Sequence, residues 1–257
     1  MSSTNQYGLS RYIPLEIKRA VRQKCGFGCV VCGSAIYQYH HFDPPFNEAK
    51  QHNPNGITLL CGNCHDYLTK NIWSIDKLEK HNNDPKCLES GFSFGVFDIG
   101  STPPVIKFGP NTFINTAETI NVYGTPILMI EPPEVESSPL RMSGLFCDEE
   151  GKEIFKIEEN EWKGYVSNWD IEITANSLTL RRDMGIIALK ITSNPPQELI
   201  IEKINMNYRG VKLVGSIDSN FIIETPSGSQ TLTEGNVITC AKYGIYIDQS
   251  GIIFGKF

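Results

Sequence analysis

The chain has 257 residues, of which 40% are hydrophobic and 20% charged, and its formal net charge is −6. This length allows one large domain or two modest ones, and the composition is typical of a globular protein. No apolar run approaches the length of a membrane span, and the polar N-terminus shows no secretory signal, so no membrane partner is expected. The eight cysteines are partly in metal-binding spacing, which favours a reducing, cytoplasmic location over a disulfide framework.

The charge is unevenly divided along the chain. Residues 1–90 contain ten Lys/Arg and eight Asp/Glu, about +2, which leaves about −8 for the remainder. A weakly basic first part can contact phosphates through a local patch, whereas an acidic second part is a poor candidate for coating DNA. The sequence therefore predicts two parts of different character.

The first predicted element is a helix that starts at Pro14, after an unpatterned segment interpreted as a loose tail. Proline suits the first turn of a helix, and the later turns carry Lys18, Arg19 and Arg22. These three basic residues are candidates for contacting a phosphate backbone. A solvated helix face is the alternative reading of the same charges.

Two C-x-x-C pairs follow, Cys29 with Cys32 and Cys61 with Cys64. Each pair presents two thiolates from a tight turn, and four thiolates make a closed tetrahedral site typical of structural Zn²⁺. Cys25 lies four residues before the first pair and is a possible substitute for one thiolate. Unpaired core thiols are the other alternative.

Between the two pairs the sequence predicts a strand over 36–42, a polar loop over 46–55 and a second strand over 57–60. A helix is expected after the last cysteine, and a further helix over 73–81 should begin at Ser74. His52 in the loop and His81 in the last helix are interpreted as facing solvent.

Beyond a linker predicted at 91–104, residues 105–257 alternate in hydrophobicity between closely spaced turn residues. This pattern predicts an all-β domain, either an antiparallel sandwich, a barrel or stacked hairpins, so that the whole chain is α+β. Trp162 and Trp169, with Asp170 nearby, either line a ligand pocket or pack in the core, and core packing is the commoner role.

Residues from about 11 to 85 resemble the HNH endonuclease family. The basic helix, the two cysteine pairs, His40-His41, Asn55 and His65 together carry the resemblance. It implies a ββα-metal fold in a domain spanning 1–90, with His41 as general base, His40 and His65 as ligands of a catalytic cation, and Asn55 fixing the loop. The roles of His40 and His41 could be exchanged, and Asn53 or Asn63 could replace Asn55.

The implied activity is metal-dependent hydrolysis of DNA phosphodiester bonds, with Mg²⁺, Mn²⁺ or Ni²⁺ as the catalytic cation and Lys70 among the phosphate contacts. Double-strand cleavage would require two copies, as in a homo-oligomer, or two visits by one module. The acidic β domain would sense an activating ligand or a protein partner, an arrangement that suits a bacterial defence or restriction-type effector. The alternative function is a non-catalytic zinc module that binds DNA or protein.

Overall fold

The computed structural model describes residues 4–136, 138–233 and 235–257. They form two compact units. The first contains the described residues up to Gly95 together with Gly164–Glu172, and the second contains Val96–Lys163 and Ile173–Phe257. Over these described ranges, no helix is both long enough and apolar enough to cross a membrane.

Helices occur in the first unit. Their bounds are α1 (Leu15–Cys25), α2 (Gly62–Thr69), α3 (Ile75–Asn83) and α4 (Lys86–Ser90). Helix α1 follows Pro14 as predicted and ends where Gly26 adopts a left-handed conformation with φ 69°. The predicted start of α3 is also confirmed, because the Ser74 hydroxyl accepts a hydrogen bond from the Lys77 backbone N–H. The short helix α4 was not predicted.

The two predicted strands between the cysteine pairs are present and form an antiparallel hairpin. Strand β1 (Gln38–His41) pairs with β2 (Ile57–Leu60), so that His40 lies opposite Thr58 and His41 opposite Ile57. All of β2 is buried, as its apolar sequence predicts. The hairpin packs on a core to which α1, the cysteine turns and α2 also contribute; its most buried apolar members are Val21, Cys25, Cys29, Val30, Ile57, Leu59 and Leu60.

The segment before α1 is attached to the loop between β1 and β2, and its interpretation as a loose tail was wrong for residues 5–11. The Asn5 side-chain amide donates to the carbonyl oxygens of Phe46 and Ala49, each at 2.6 Å. The Gln6 amide donates to the Asn47 carbonyl at 2.9 Å. These hydrogen bonds join residues about forty positions apart, which no local sequence pattern reports.

Gly164–Glu172 belongs to the first unit because of a buried ion pair. The Arg22 guanidinium donates from Nε to one Asp170 oxygen at 2.8 Å and from the Nη2 amine to the other at 2.7 Å. Arg22 is 2% exposed and Asp170 0% exposed. The predicted contact between Arg22 and DNA is therefore wrong, since the guanidinium neutralises a buried carboxylate in the interior of this unit.

The strands that follow are numerous and short. Their bounds are β3 (Phe92–Val96), β4 (Val105–Phe108), β5 (Asn111–Ile114), β6 (Glu118–Val122), β7 (Thr125–Glu131), β8 (Arg141–Cys147), β9 (Glu153–Glu158), β10 (Glu161–Tyr165), β11 (Asp170–Thr174), β12 (Ser177–Asp183), β13 (Ile186–Asn194), β14 (Glu198–Tyr208), β15 (Val211–Ser216), β16 (Phe221–Thr225), β17 (Gly228–Leu232), β18 (Val237–Thr239), β19 (Tyr243–Asp248) and β20 (Gly251–Lys256). Strand β3 lies within the segment interpreted as a linker; its pattern of alternate burial is that of a strand rather than a connection.

In the second unit most neighbouring strands are consecutive and antiparallel. One sheet contains the order β20-β19-β6-β7-β8-β9-β10, and another contains β12-β13-β14-β15-β16-β17. Turns at 175–176, 184–185 and 209–210 separate several of these strands, in keeping with the closely spaced turn residues of the sequence. Three pairs are parallel instead, β4 with β14, β5 with β18 and β6 with β19. The chain is therefore mostly β with a few helices, and its strands are arranged largely as hairpins.

Trp162 and Trp169 have different environments. Trp162 is 4% exposed and lies against Phe155 in the second unit, with ring centroids 5.5 Å apart, so it has the predicted core role. Trp169 belongs to the first unit, where the Arg19 guanidinium lies 4.6 Å from its ring centroid. The two tryptophans therefore belong to different units, and the structure gives each of them a separate role.

Candidate metal centre and histidine pocket

The four predicted cysteines meet at one point. The Sγ atoms of Cys29, Cys32, Cys61 and Cys64 all lie within 4.8 Å of one another, and those of Cys32 and Cys61 are 3.6 Å apart. Four sulfurs at about 2.3 Å from a tetrahedral zinc lie about 3.8 Å from each other, so these residues fit a single Zn²⁺ ion. Cys25 is outside the cluster and lies 3.8 Å from the Thr58 hydroxyl, which excludes it as a replacement ligand in this arrangement.

Backbone hydrogen bonds form the two turns that present the sulfurs. In the first turn the Cys29 N–H donates to the Ser34 carbonyl at 2.8 Å, and the Gly33 N–H donates back to the Cys29 carbonyl at 2.9 Å. The second turn opens α2, where the His65 N–H donates to the Cys61 carbonyl at 2.9 Å. Cys61 is thus the N-cap of α2, and His65 lies on the first turn of that helix.

The four thiols lie so close together that the ionisation of one affects the pKa of the others. The hydrogen bond from the Cys32 thiol lowers the pKa of Cys29 to about 5. The same bond raises the pKa of Cys32, and burial raises that of Cys64 to about 12. One thiolate thus suppresses ionisation of its neighbours, because several negative charges cannot share so small a volume. A divalent cation would remove this repulsion and stabilise the deprotonated ligands.

A pocket of about 420 Å³ lies in the same unit. Its lining consists of Arg11, Ile13, Tyr39, His40, His41, Pro45, Phe46, Asn47 and His65. All three histidines singled out in the sequence are therefore at one cavity. Strand β1 supplies two of them and helix α2 the third, which is the outcome of attaching the hairpin and the helix to the same cysteine cluster.

The rings of His40 and His65 are in edge-to-face contact at the pocket. Their ring centroids are 4.9 Å apart with an interplanar angle of 84°. Burial, with further contributions from His65 and His41, lowers the pKa of His40 to about 4. The His40 imidazole is consequently neutral at pH 7 and has a lone pair available for a metal ion.

His41 makes a different contact, because adjacent strand residues point in diverging directions. Its Nε2 lies 3.0 Å from Nδ1 of His52, and its ring is 5.4 Å from that of Phe46 in an edge-to-face arrangement. Burial first, and then His52 and Arg11, lower the pKa of His41 to about 4. His52 and His81 are both half-buried, so the interpretation that these two residues face solvent was wrong.

Arg11 is the functional candidate that the sequence reasoning missed. It lines the pocket, and its guanidinium lies 4.6 Å from the Phe46 ring centroid, on a ring that also contacts His41. It therefore adds a permanent positive charge beside the two neutral imidazoles of β1. No sequence signal marked it, since it lies in a segment without helical or strand periodicity.

The turn that leads into β2 is held from two sides. The Lys24 ammonium donates to the carbonyl oxygens of Pro54 and Ile57, each at 3.0 Å. The Asn53 side chain accepts from the Asn55 backbone N–H at 3.0 Å, so Asn53 caps this turn. The side chain of Asn55 is exposed, and its predicted loop-fixing role stays a prediction next to the alternative that named Asn53.

The other three basic residues predicted to contact DNA differ in their exposure and in the side chains that they contact. Lys18 is half-buried, with its ammonium 5.4 Å from the Tyr12 ring centroid. Arg19 lies 3.6 Å from Asp170 and stacks on the ring of Trp169 as described above. Lys70 is 65% exposed and pairs with Asp66 at 2.8 Å. The predicted phosphate contacts of these three residues stay predictions.

Comparisons with protein-family models, with curated proteins and with solved structures found no match for this chain. The described residues define a mostly β protein whose first unit combines a four-cysteine cluster with a pocket lined by three histidines and an arginine. Its function must be inferred from the chemistry of that unit, because a fold by itself does not specify an activity.

Proposed function

We propose that this protein is a metal-dependent endonuclease of the HNH type that hydrolyses DNA phosphodiester bonds. The observation that carries the proposal is the convergence of His40, His41 and His65 on one pocket beside the cysteine cluster. The order β1, β2, α2 is that of a ββα-metal module, in which a structural Zn²⁺ would tether the hairpin to the helix.

His40 and His65 are the residues that would hold the catalytic cation. Their ring centroids are 4.9 Å apart in an edge-to-face arrangement, and the two residues belong to a strand and a helix rather than to the loop. Two imidazoles form a site of intermediate softness, so Mn²⁺ and Ni²⁺ should serve as well as Mg²⁺. When bound, the cation neutralises charge on the scissile phosphate and on the departing 3′ oxygen.

His41 would act as the general base. Its imidazole is neutral at pH 7, lines the pocket and can take a proton from the attacking water, a contribution of roughly 10²–10⁴ in rate. The water oxygen bonds to phosphorus as the bond to the 3′ oxygen breaks. The products are a 5′-phosphate and a 3′-hydroxyl.

Arg11 supplies the charge that a nucleic-acid substrate requires at this pocket. A guanidinium matches two phosphate oxygens at once, and its place on the Phe46 ring keeps it at the cavity edge. Lys18 and Lys70 are further candidates for contacts to flanking phosphates. The net charge of −6 for the whole chain does not oppose this assignment, because residues 1–90 are weakly basic.

The acidic second unit would restrain or direct cleavage. We place there the recognition of an activating ligand or a protein partner, and a homo-oligomer would bring two nuclease modules to one duplex. Such an architecture suits a cytoplasmic effector of bacterial defence, in which cutting must await a signal. This setting is supported by one observation, which is that the chain combines two units of different composition.

Plasmid nicking by the full-length, zinc-loaded protein tests the activity. The native chain and His41→Ala are compared in Mg²⁺, Mn²⁺ and Ni²⁺, and His81→Ala serves as the matched control because His81 lies on α3 and is not among the pocket-lining residues. We expect nicking by the native chain and by His81→Ala, and a loss of at least roughly 100-fold in His41→Ala. End-labelling of the product should detect a 5′-phosphate.

Two results would contradict the proposal. Equal nicking by the native chain and His41→Ala would remove His41 as the base. Absence of nicking in all three metals, with one zinc per chain bound, would favour the alternative function, a non-catalytic zinc module that binds DNA or protein.

A further inference from the structure

His52 lies beside the pocket but is neither a cysteine ligand nor one of the two proposed ligands of the catalytic cation. It lies in the loop between β1 and β2, and its ring is half-buried against His41, with centroids 5.2 Å apart. Its Nδ1 is 3.0 Å from Nε2 of His41. Its own Nε2 is buried and has no hydrogen-bond partner among the described residues.

The buried Nε2 of His52, without a partner in the part of the chain that the structure describes, does not stabilise the fold. A buried polar atom without a partner costs about 1–3 kcal/mol, and this cost persists whichever of its nitrogens carries the proton. A buried polar atom left unpaired in a native structure calls for an explanation, and a role at a catalytic site is one such explanation. The contact with His41 is the only hydrogen bond that the ring of His52 makes among the described residues.

Resting on the proposed nuclease activity, we propose that His52 is a positioning residue that sets the tautomer and orientation of His41. His52 accepts a hydrogen bond at Nδ1 from the protonated Nε2 of His41. The lone pair of His41 is then confined to Nδ1, the nitrogen that takes the proton from the attacking water. After that transfer the same hydrogen bond holds the orientation of the His41 ring.

The surroundings of the pair fix the loop that carries His52. Phe46 contacts the ring of His41 at its edge, and Arg11 covers Phe46. Asn5 holds the backbone of this loop through its two hydrogen bonds to the carbonyls of Phe46 and Ala49. Because the loop is held at these points, the distance between His41 and His52 is defined rather than incidental.

Two substitutions separate positioning from structure. His52→Leu removes the acceptor while keeping an apolar side chain, whereas His52→Asn retains an acceptor oxygen near the place of Nδ1. We expect His52→Leu to lower kcat for plasmid nicking by roughly 10- to 100-fold with KM unchanged, the usual effect of losing a partner behind a reacting imidazole. His52→Asn should recover most of this loss, and His81→Leu should leave kcat unchanged. The melting temperature of His52→Leu should be equal to or above that of the native chain, because an unpaired buried nitrogen is removed.

A second readout does not depend on catalysis. Nitrogen-15 NMR of histidine-labelled, zinc-loaded protein should place the proton of His41 on Nε2 in the native chain and show mixed tautomers in His52→Leu. Three results would overturn the inference: an unchanged kcat in His52→Leu, a native His41 protonated at Nδ1, or a loss of activity that accompanies loss of zinc or of folding. Absence of nicking by the native chain would instead refute the proposed function, and the NMR measurement would still decide the hydrogen bond.

Discussion

Replacing Asp170 with asparagine should destabilise the first unit by about 3–5 kcal/mol, because it removes one partner of a buried ion pair. Asp170 is 0% exposed and accepts two hydrogen bonds from Arg22, at 2.8 and 2.7 Å. Asparagine has nearly the same volume but no charge, so the buried Arg22 guanidinium loses its closest counter-charge among the described residues and keeps Glu172 at 3.3 Å. A buried charge without its partner is poorly solvated by the protein interior, and this lowers the free energy of unfolding.

Thermal and urea unfolding of the zinc-loaded protein, followed by circular dichroism, measures this effect. A loss of this size should lower the melting temperature of the first unit by roughly 12 °C or more. Asp66→Asn is the matched control, since Asp66 is 59% exposed in its pair with Lys70 and its substitution should leave the melting temperature nearly unchanged. Arg22→Met combined with Asp170→Leu should recover much of the loss, because no buried charge is left. Equal, small effects of Asp170→Asn and Asp66→Asn would refute the reasoning.

Three further perturbations have defined outcomes. Cys61→Ser should abolish stoichiometric zinc binding and unfold the first unit, while Cys240→Ser, at an exposed cysteine outside the cluster, should change neither metal content nor circular dichroism. Gly56→Ala should distort the turn before β2 and abolish nicking with zinc still bound, because its Cβ would lie 1.7 Å from a backbone oxygen; normal activity would contradict this. The hydrogen bond from Lys107 lowers the pKa of Glu198 below its usual value, so this pair stabilises the second unit above that value and the contribution disappears as the pH falls through the lowered pKa. Glu198→Gln should thus cost up to about 1 kcal/mol at pH 7, as measured by urea unfolding, and the cost should shrink as the pH is lowered below the usual pKa of a glutamate.

Local patterns determined much of the first unit. Pro14 and Gly26 delimit α1, Ser74 starts α3, and the apolar run over 57–60 is β2, because capping groups and alternation act within a few residues. The C-x-x-C spacing likewise predicted the cysteine cluster, since a tetrahedral ion requires pairs of thiolates from tight turns. The regular recurrence of turn residues after residue 105 predicted a β-rich second part.

What depended on distant residues could be read only from the tertiary structure. Arg22 was one of several similar charges on a helix until Asp170, 148 positions away, was placed beside it in the interior. Arg11 and His52 carried no pattern, yet folding of the N-terminal segment against the loop places one at the pocket and the other against His41. Sequence periodicity indicates which face of a helix or strand is buried. The roles of Arg22, Arg11 and His52 depend instead on which side chains meet in the folded chain. Short-range sequence patterns do not contain that information.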